Sequence, residues 1–125
     1  MLILKDASVL TTGLKPEIFF ALGVASALKS RMFDQNCIVT SLTDGHHNDG
    51  SLHPLGLACD LRTNDMTIGE RIAWFEALKA ALEPSGFDIV WEGGVGATPA
   101  TTGAHVHIEF DAKGRKFWHY LQGAI

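Results

Sequence analysis

Toward one end of the chain His105, Val106, His107, Ile108 and Glu109 alternate between polar and apolar. An extended strand sorts such a run cleanly, because residues two apart share a face. His105, His107 and Glu109 then stand on one side and Val106 and Ile108 on the other. The apolar side belongs to a core and the polar side to a cleft. A chain built around this strand needs a sheet with one covered face, and helices to cover it.

Two stretches have the pattern of such helices. Pro16 suits a first helical position, where a missing N–H costs nothing, and Glu17 follows where the dipole favours an anion. Ile18, Leu22, Ala25 and Leu28 then recur at helical spacing to about Met32, and Phe19, Phe20 and Val24 widen the apolar face. This reads as a well-buried helix. Thr67 with Glu70 matches a capping box. Ile68, Ile72, Phe75, Leu78 and Leu82 form the stripe of a second helix over 67–83, stopped by Pro84 and Gly86.

Between and after the helices, residues 37–42, 57–62, 87–92 and 105–110 read as strands. Residues 1–14 are weakly patterned. The 43–50 segment is polar and reads as loop, as does 93–103 with its four glycines. Trp118, Tyr120 and Leu121 suggest a short packed terminal helix or turn, with His119 structural among them. Two helices on one face of a small, mainly antiparallel sheet make an α+β domain. At 125 residues the chain is read as one domain, 1–125.

Composition narrows the function. A net charge of −4 gives no footprint for nucleic acid or an anionic membrane. No apolar run reaches membrane-spanning length, and the start is too short for a secretory signal. A protein cytoplasmic as made, and monomeric by default, is the expectation. Cys37 and Cys59 form no CxxC pair and read as two buried small hydrophobes. Cys59 alternates with Asp60, so the two face opposite ways on a strand.

The polar positions have chemistry to offer. His53 and Asp60 are separated by a turn-forming Pro54 and Gly56, and His105 and His107 share a strand face. Two imidazoles and a carboxylate suit Zn²⁺ with one position left for water. The candidate ligands are His53, Asp60 and His107, with His105 beside them as a catalytic side chain. The bland alternative is that strand histidines pack or face solvent, and each motif is weak alone.

Together the motifs are familiar. Ser51, His53, Gly56, Ala58 and Asp60 at their spacing, followed by His105 and His107, resemble the M15 family of zinc peptidases. That family includes D-Ala-D-Ala carboxypeptidases and phage L-alanyl-D-glutamate endopeptidases. The resemblance spans roughly residues 37–110. It implies the small α+β domain shared with the hedgehog signalling domain, and one Zn²⁺ on His53, Asp60 and His107. It also implies catalysis by His105, turn-shaping roles for Ser51 and Gly56, and peptidoglycan stem peptide as substrate. The absent signal then fits a phage or prophage lysis enzyme acting on the wall after release.

Two departures bear on activity. One branch of the family places an acidic base three residues before the last ligand, where this chain has Ala104. The base role then passes to His105 or Glu92, and Glu92 or Glu109 can instead support a ligand. Members often carry an arginine upstream of the first ligand, yet residues 32–61 contain no arginine or lysine. His46, His47 and Asp49 occupy that loop, with His47 able to reach the cleft rim, and Arg62 is the nearest cation. A catalytically silent zinc-binding structural or binding domain of phage origin is therefore the alternative.

Overall fold

A computed structural model of the chain describes residues 1–45 and 51–110. The strands are β1 (Leu2–Leu4), β2 (Cys37–Ser41), β3 (Ala58–Arg62), β4 (Asp88–Glu92) and β5 (His105–Glu109). The helices are α1 (Pro16–Phe33) and α2 (Ile68–Leu82). The sheet order is β1-β2-β3-β5-β4. β1 pairs parallel with β2, and the other pairings are antiparallel. The fold is α+β, with both helices against the sheet. Trp118 to Leu121, like His46, His47 and Asp49, lie outside the described residues.

The core follows from strand alternation. Cys37, Val39, Cys59, Leu61, Ile89, Val106 and Ile108 turn to one face and meet Ile18, Ala21, Leu22, Ala25, Trp74, Leu78 and Leu82 of the helices. Both cysteines are buried free thiols. Burial raises the thiol pKa of Cys37 to about 12 and that of Cys59 well above the ordinary range.

Each helix departs from its expected stripe. In α1, Phe19 and Phe20 are each 55% exposed, while Lys29 is wholly buried. Its ammonium reaches both Asp65 oxygens at 3.1 and 3.0 Å and lies 5.1 Å from the centre of the Trp74 ring. In α2 the buried stripe is Trp74, Leu78 and Leu82, whereas Ile68 and Ile72 are exposed. Trp74 occupies the centre because its indole N–H donates to the Ala25 carbonyl of α1. The capping box forms in full: Thr67 Oγ1 accepts from Glu70 N–H and Glu70 Oε1 from Thr67 N–H. β1 is an added strand, set on the sheet edge by pairing Leu2 to Leu4 with Cys37 to Val39.

The sheet face away from the helices carries the polar positions. The register across β4, β5 and β3 puts Glu92, His105 and Arg62 in one row. Val90, His107 and Asp60 form the next row, and Asp88, Glu109 and Ala58 the third. Among the described residues no helix is long and apolar enough to cross a membrane.

Candidate metal centre

Asp60 lies directly opposite His107 across the β3–β5 ladder, near the middle of a fully paired strand. His53 comes from outside the sheet, at the start of a short 3-10 turn, His53–Leu55. Ser51 Oγ accepts the His53 N–H at 3.3 Å, and the Gly56 N–H bonds back to the His53 carbonyl. Gly56 closes the turn at φ +75°, where a β-carbon would lie 2.1 Å from the Gly13 carbonyl oxygen. Glycine is required there on both counts. Ser51 and Gly56 shape this turn.

Three rings converge on one carboxylate oxygen. Asp60 Oδ1 is 2.9 Å from His107 Nδ1, 3.3 Å from His53 Nε2 and 3.6 Å from His105 Nε2. Glu92 Oε1 closes the other side, 2.9 Å from His107 Nδ1 and 3.7 Å from His105 Nε2. Potential ligand atoms of His53, Asp60 and His107 all lie within 4.8 Å of one another, as do those of Asp60, Glu92 and His105. His53, Asp60 and His107 are buried. His105 is more open, its side chain 28% exposed, and that of Glu92 is 45% exposed.

The far side of each ring fixes what the near side offers. His53 Nδ1 sits 2.6 Å from the Leu42 carbonyl, which only accepts, so this nitrogen bears the hydrogen. His107 Nε2 is 3.2 Å from Glu109 Oε1, and His105 Nδ1 is 3.4 Å from the Gly103 carbonyl. In the neutral rings the lone pairs of His53 Nε2 and His105 Nε2 therefore face ionised carboxylates, and His107, with a carboxylate against each nitrogen, sets a lone pair against one of them in either tautomer. Lone pair against lone pair is unfavourable unless a proton or a cation lies between them. The arrangement, with outer acceptors orienting the inner nitrogens, is how proteins prepare metal ligands.

The electrostatics agree. Burial opposes charge on His53, but the bond to Asp60 and that carboxylate's charge outweigh it and raise its pKa above the ordinary value. His107 is raised in the same way, with burial opposing and Asp60, Glu92 and Glu109 prevailing. Burial alone would raise Asp60, yet the bonds from His107 and His53 hold its carboxyl well below the usual range. A strongly acidic carboxyl opposite imidazoles with raised pKa values is a donor set that suits a cation, whether a proton on the rings or a metal ion. It can hold a metal ion, and two nitrogens with carboxylate oxygen fit a divalent transition metal or zinc.

The expected residues come together, with distinct places. Glu109 supports His107 and makes no bond to His105. Ala104 is buried, its carbonyl accepting from Thr63 Oγ1 at 2.8 Å, and its methyl group supplies no base. Arg62 stands beside His105 at the site's edge. The far end of the 93–103 loop lines cavities beside the site. The sequence does not announce Leu42, whose carbonyl sets the His53 tautomer, because a backbone acceptor leaves no motif.

No protein-family model matches this chain, and no curated protein matches it at a significant level. The metal cluster accordingly rests on the geometry, and the peptidase reading on the resemblance carried by the motifs.

Proposed function

We propose that this chain is a zinc-dependent peptidase acting on the stem peptide of bacterial peptidoglycan, as a D-Ala-D-Ala carboxypeptidase or an L-Ala-D-Glu endopeptidase. The observation that supports the metal is the convergence of His53 Nε2 and His107 Nδ1 on Asp60, each ring held from behind by an acceptor; the reaction and its substrate follow from the motif resemblance. Zinc in this ligand set supplies Lewis acidity, polarising a peptide carbonyl and acidifying a water molecule.

The chain's own groups do the rest. Glu92 is half-exposed at the cluster and takes a proton from the attacking water, then returns it to the leaving amine. His105, held at Nδ1 by the Gly103 carbonyl, turns Nε2 to the same space and donates to the developing oxyanion when protonated. The buried His53, Asp60 and His107 supply a fixed frame, so little reorganisation accompanies charge development.

The test is a digest of purified peptidoglycan fragments read by mass spectrometry, with chelator and with zinc restored. A chelator-sensitive loss of one alanine indicates the carboxypeptidase, and separation of L-Ala from D-Glu the endopeptidase. A second reading, a zinc-binding domain without turnover, is favoured by the buried Ala104 and by the lack of cations over residues 32–61. Stoichiometric zinc with no product from any fragment would establish it over the first.

A further inference from the structure

Beside the metal centre lies a cavity of about 260 Å³ whose lining has the opposite charge character. The metal centre is crowded with carboxylates. The cavity is lined by Lys5, Thr40, Arg62, Asn64, Gly103 and His105, among others, and no carboxylate is among its described lining residues. Lys5 arrives from the end of β1, tied down by its N–H to the Val39 carbonyl. Arg62 arrives on β3, two residues beyond Asp60 and directly opposite His105. Asp6, next to Lys5 in sequence, has Oδ1 engaged by the Ser8 N–H and hydroxyl. The Ser8 bonds and, to a lesser degree, the charges of Lys5 and Arg62 lower the Asp6 pKa, so this exposed carboxylate offsets part of their charge without closing a salt bridge to either. Two cations thus share a cavity in a chain whose net charge is −4.

We propose that Lys5 and Arg62 form an anion subsite that receives a carboxylate of the bound peptide, on the His105 side of the metal ligands. The proposal deepens the peptidase reading and rests on it. Spacing supplies the substrate class. Asp60 and Arg62 share a sheet face, so their α-carbons are about 7 Å apart. A peptide advances about 3.5 Å per residue, so the carboxylate lies within about two residues of the carbonyl at the ligands. The Arg62 fork matches a carboxylate in geometry as well as charge. The carboxylate is either the C-terminal one of a short leaving segment or an acidic side chain near the scissile bond.

The experiment titrates three peptides into zinc-loaded protein, followed by amide NMR, with cleavage read by mass in the same samples. They are acetyl-D-Ala-D-Ala, its C-terminal amide, and acetyl-D-Glu-D-Ala amide. A carboxylate is expected to improve affinity about fivefold or more over the plain amide, and the better of the two acidic peptides identifies its source. In the Lys5→Gln, Arg62→Gln double variant that preference disappears, while zinc stoichiometry and amide affinity stay unchanged. Arg62→Lys keeps part of it. Equal affinity for all three peptides, or a preference surviving the double variant, overturns the subsite and leaves the peptidase reading in place. A preference without cleavage of any stem peptide supports the subsite and removes the peptidase reading. Failure of all three to bind overturns the subsite and the carboxypeptidase, and the fragment digest then decides the endopeptidase.

Discussion

His107 has one ring and three carboxylates around it, and each contact has a separable consequence. Glu109 holds the outer nitrogen, so Glu109→Gln should leave the fold intact and weaken zinc affinity about 10- to 100-fold, as titration against a competing chelator would show. Glu92 has a half-exposed side chain and lies outside the buried triad. Glu92→Gln should keep zinc and lower turnover about 100- to 10,000-fold; unchanged turnover would transfer the proton to His105. His107→Ala should abolish both zinc and activity, and hydrolysis by the metal-free variant would exclude the mechanism. Gly56→Ala should unfold the turn that carries His53. The clash with Gly13 and the positive φ together predict a loss of about 3 kcal/mol or more in denaturant unfolding.

Among the elements, α2 is the best marked in the chain and α1 the most deceptive. Thr67→Ala should cost about 1 kcal/mol in a chemical melt, since it removes half of a formed capping box. The box is legible because it is local, three residues apart with fixed partners. The α2 stripe is less so: Ile68, Ile72, Trp74 and Phe75 cover more than one side, and periodicity alone does not choose which side meets α1. The indole bond to Ala25 chooses, and Ile68 is left to line a neighbouring cavity. In α1, Lys29 continues the buried stripe from Ile18 through Ala25, but its partner Asp65 is 36 positions away. Asp65→Ala should therefore destabilise by about 2 kcal/mol, whereas Lys29→Met should be close to neutral. β1 is Leu-Ile-Leu, apolar at exposed and half-buried positions alike, and so leaves no alternation to read. The strand carrying His105 and His107 was legible throughout because its alternation is strict. The tautomer-setting Leu42 carbonyl was not, because any residue supplies one.

For the whole molecule, a metal held by the triad would link to folding. A cation that binds only the assembled triad stabilises the native state by about 2.7 kcal/mol at a free concentration 100-fold above its dissociation constant. Thermal unfolding should thus shift upward with zinc and return with chelator. Acid sensitivity has a second source outside the metal centre. Asp44 accepts from the N–H groups of Leu42 and Leu10, joining the segment before β1's neighbour helix to the end of β2. Burial opposes its ionisation, but these bonds prevail and lower its pKa. A lowered carboxyl pKa adds stability above the unfolded value of about 4 and loses it as pH falls through the folded value. Asp44→Ala should be destabilised at neutral pH, and its gap from the parent should narrow on acidification.

The two thiols give the molecule a clock of its own. Cys37 and Cys59 lie beneath the sheet, in its apolar layer, and burial keeps both protonated at neutral pH. A thiol reagent meets them only when the layer beneath the metal centre opens. The labelling rate of the intact protein therefore reports how often the whole structure breathes. Ligand occupancy at Asp60, on the other face of the strand that carries Cys59, should slow that rate, a readout of occupancy that needs neither substrate nor colour.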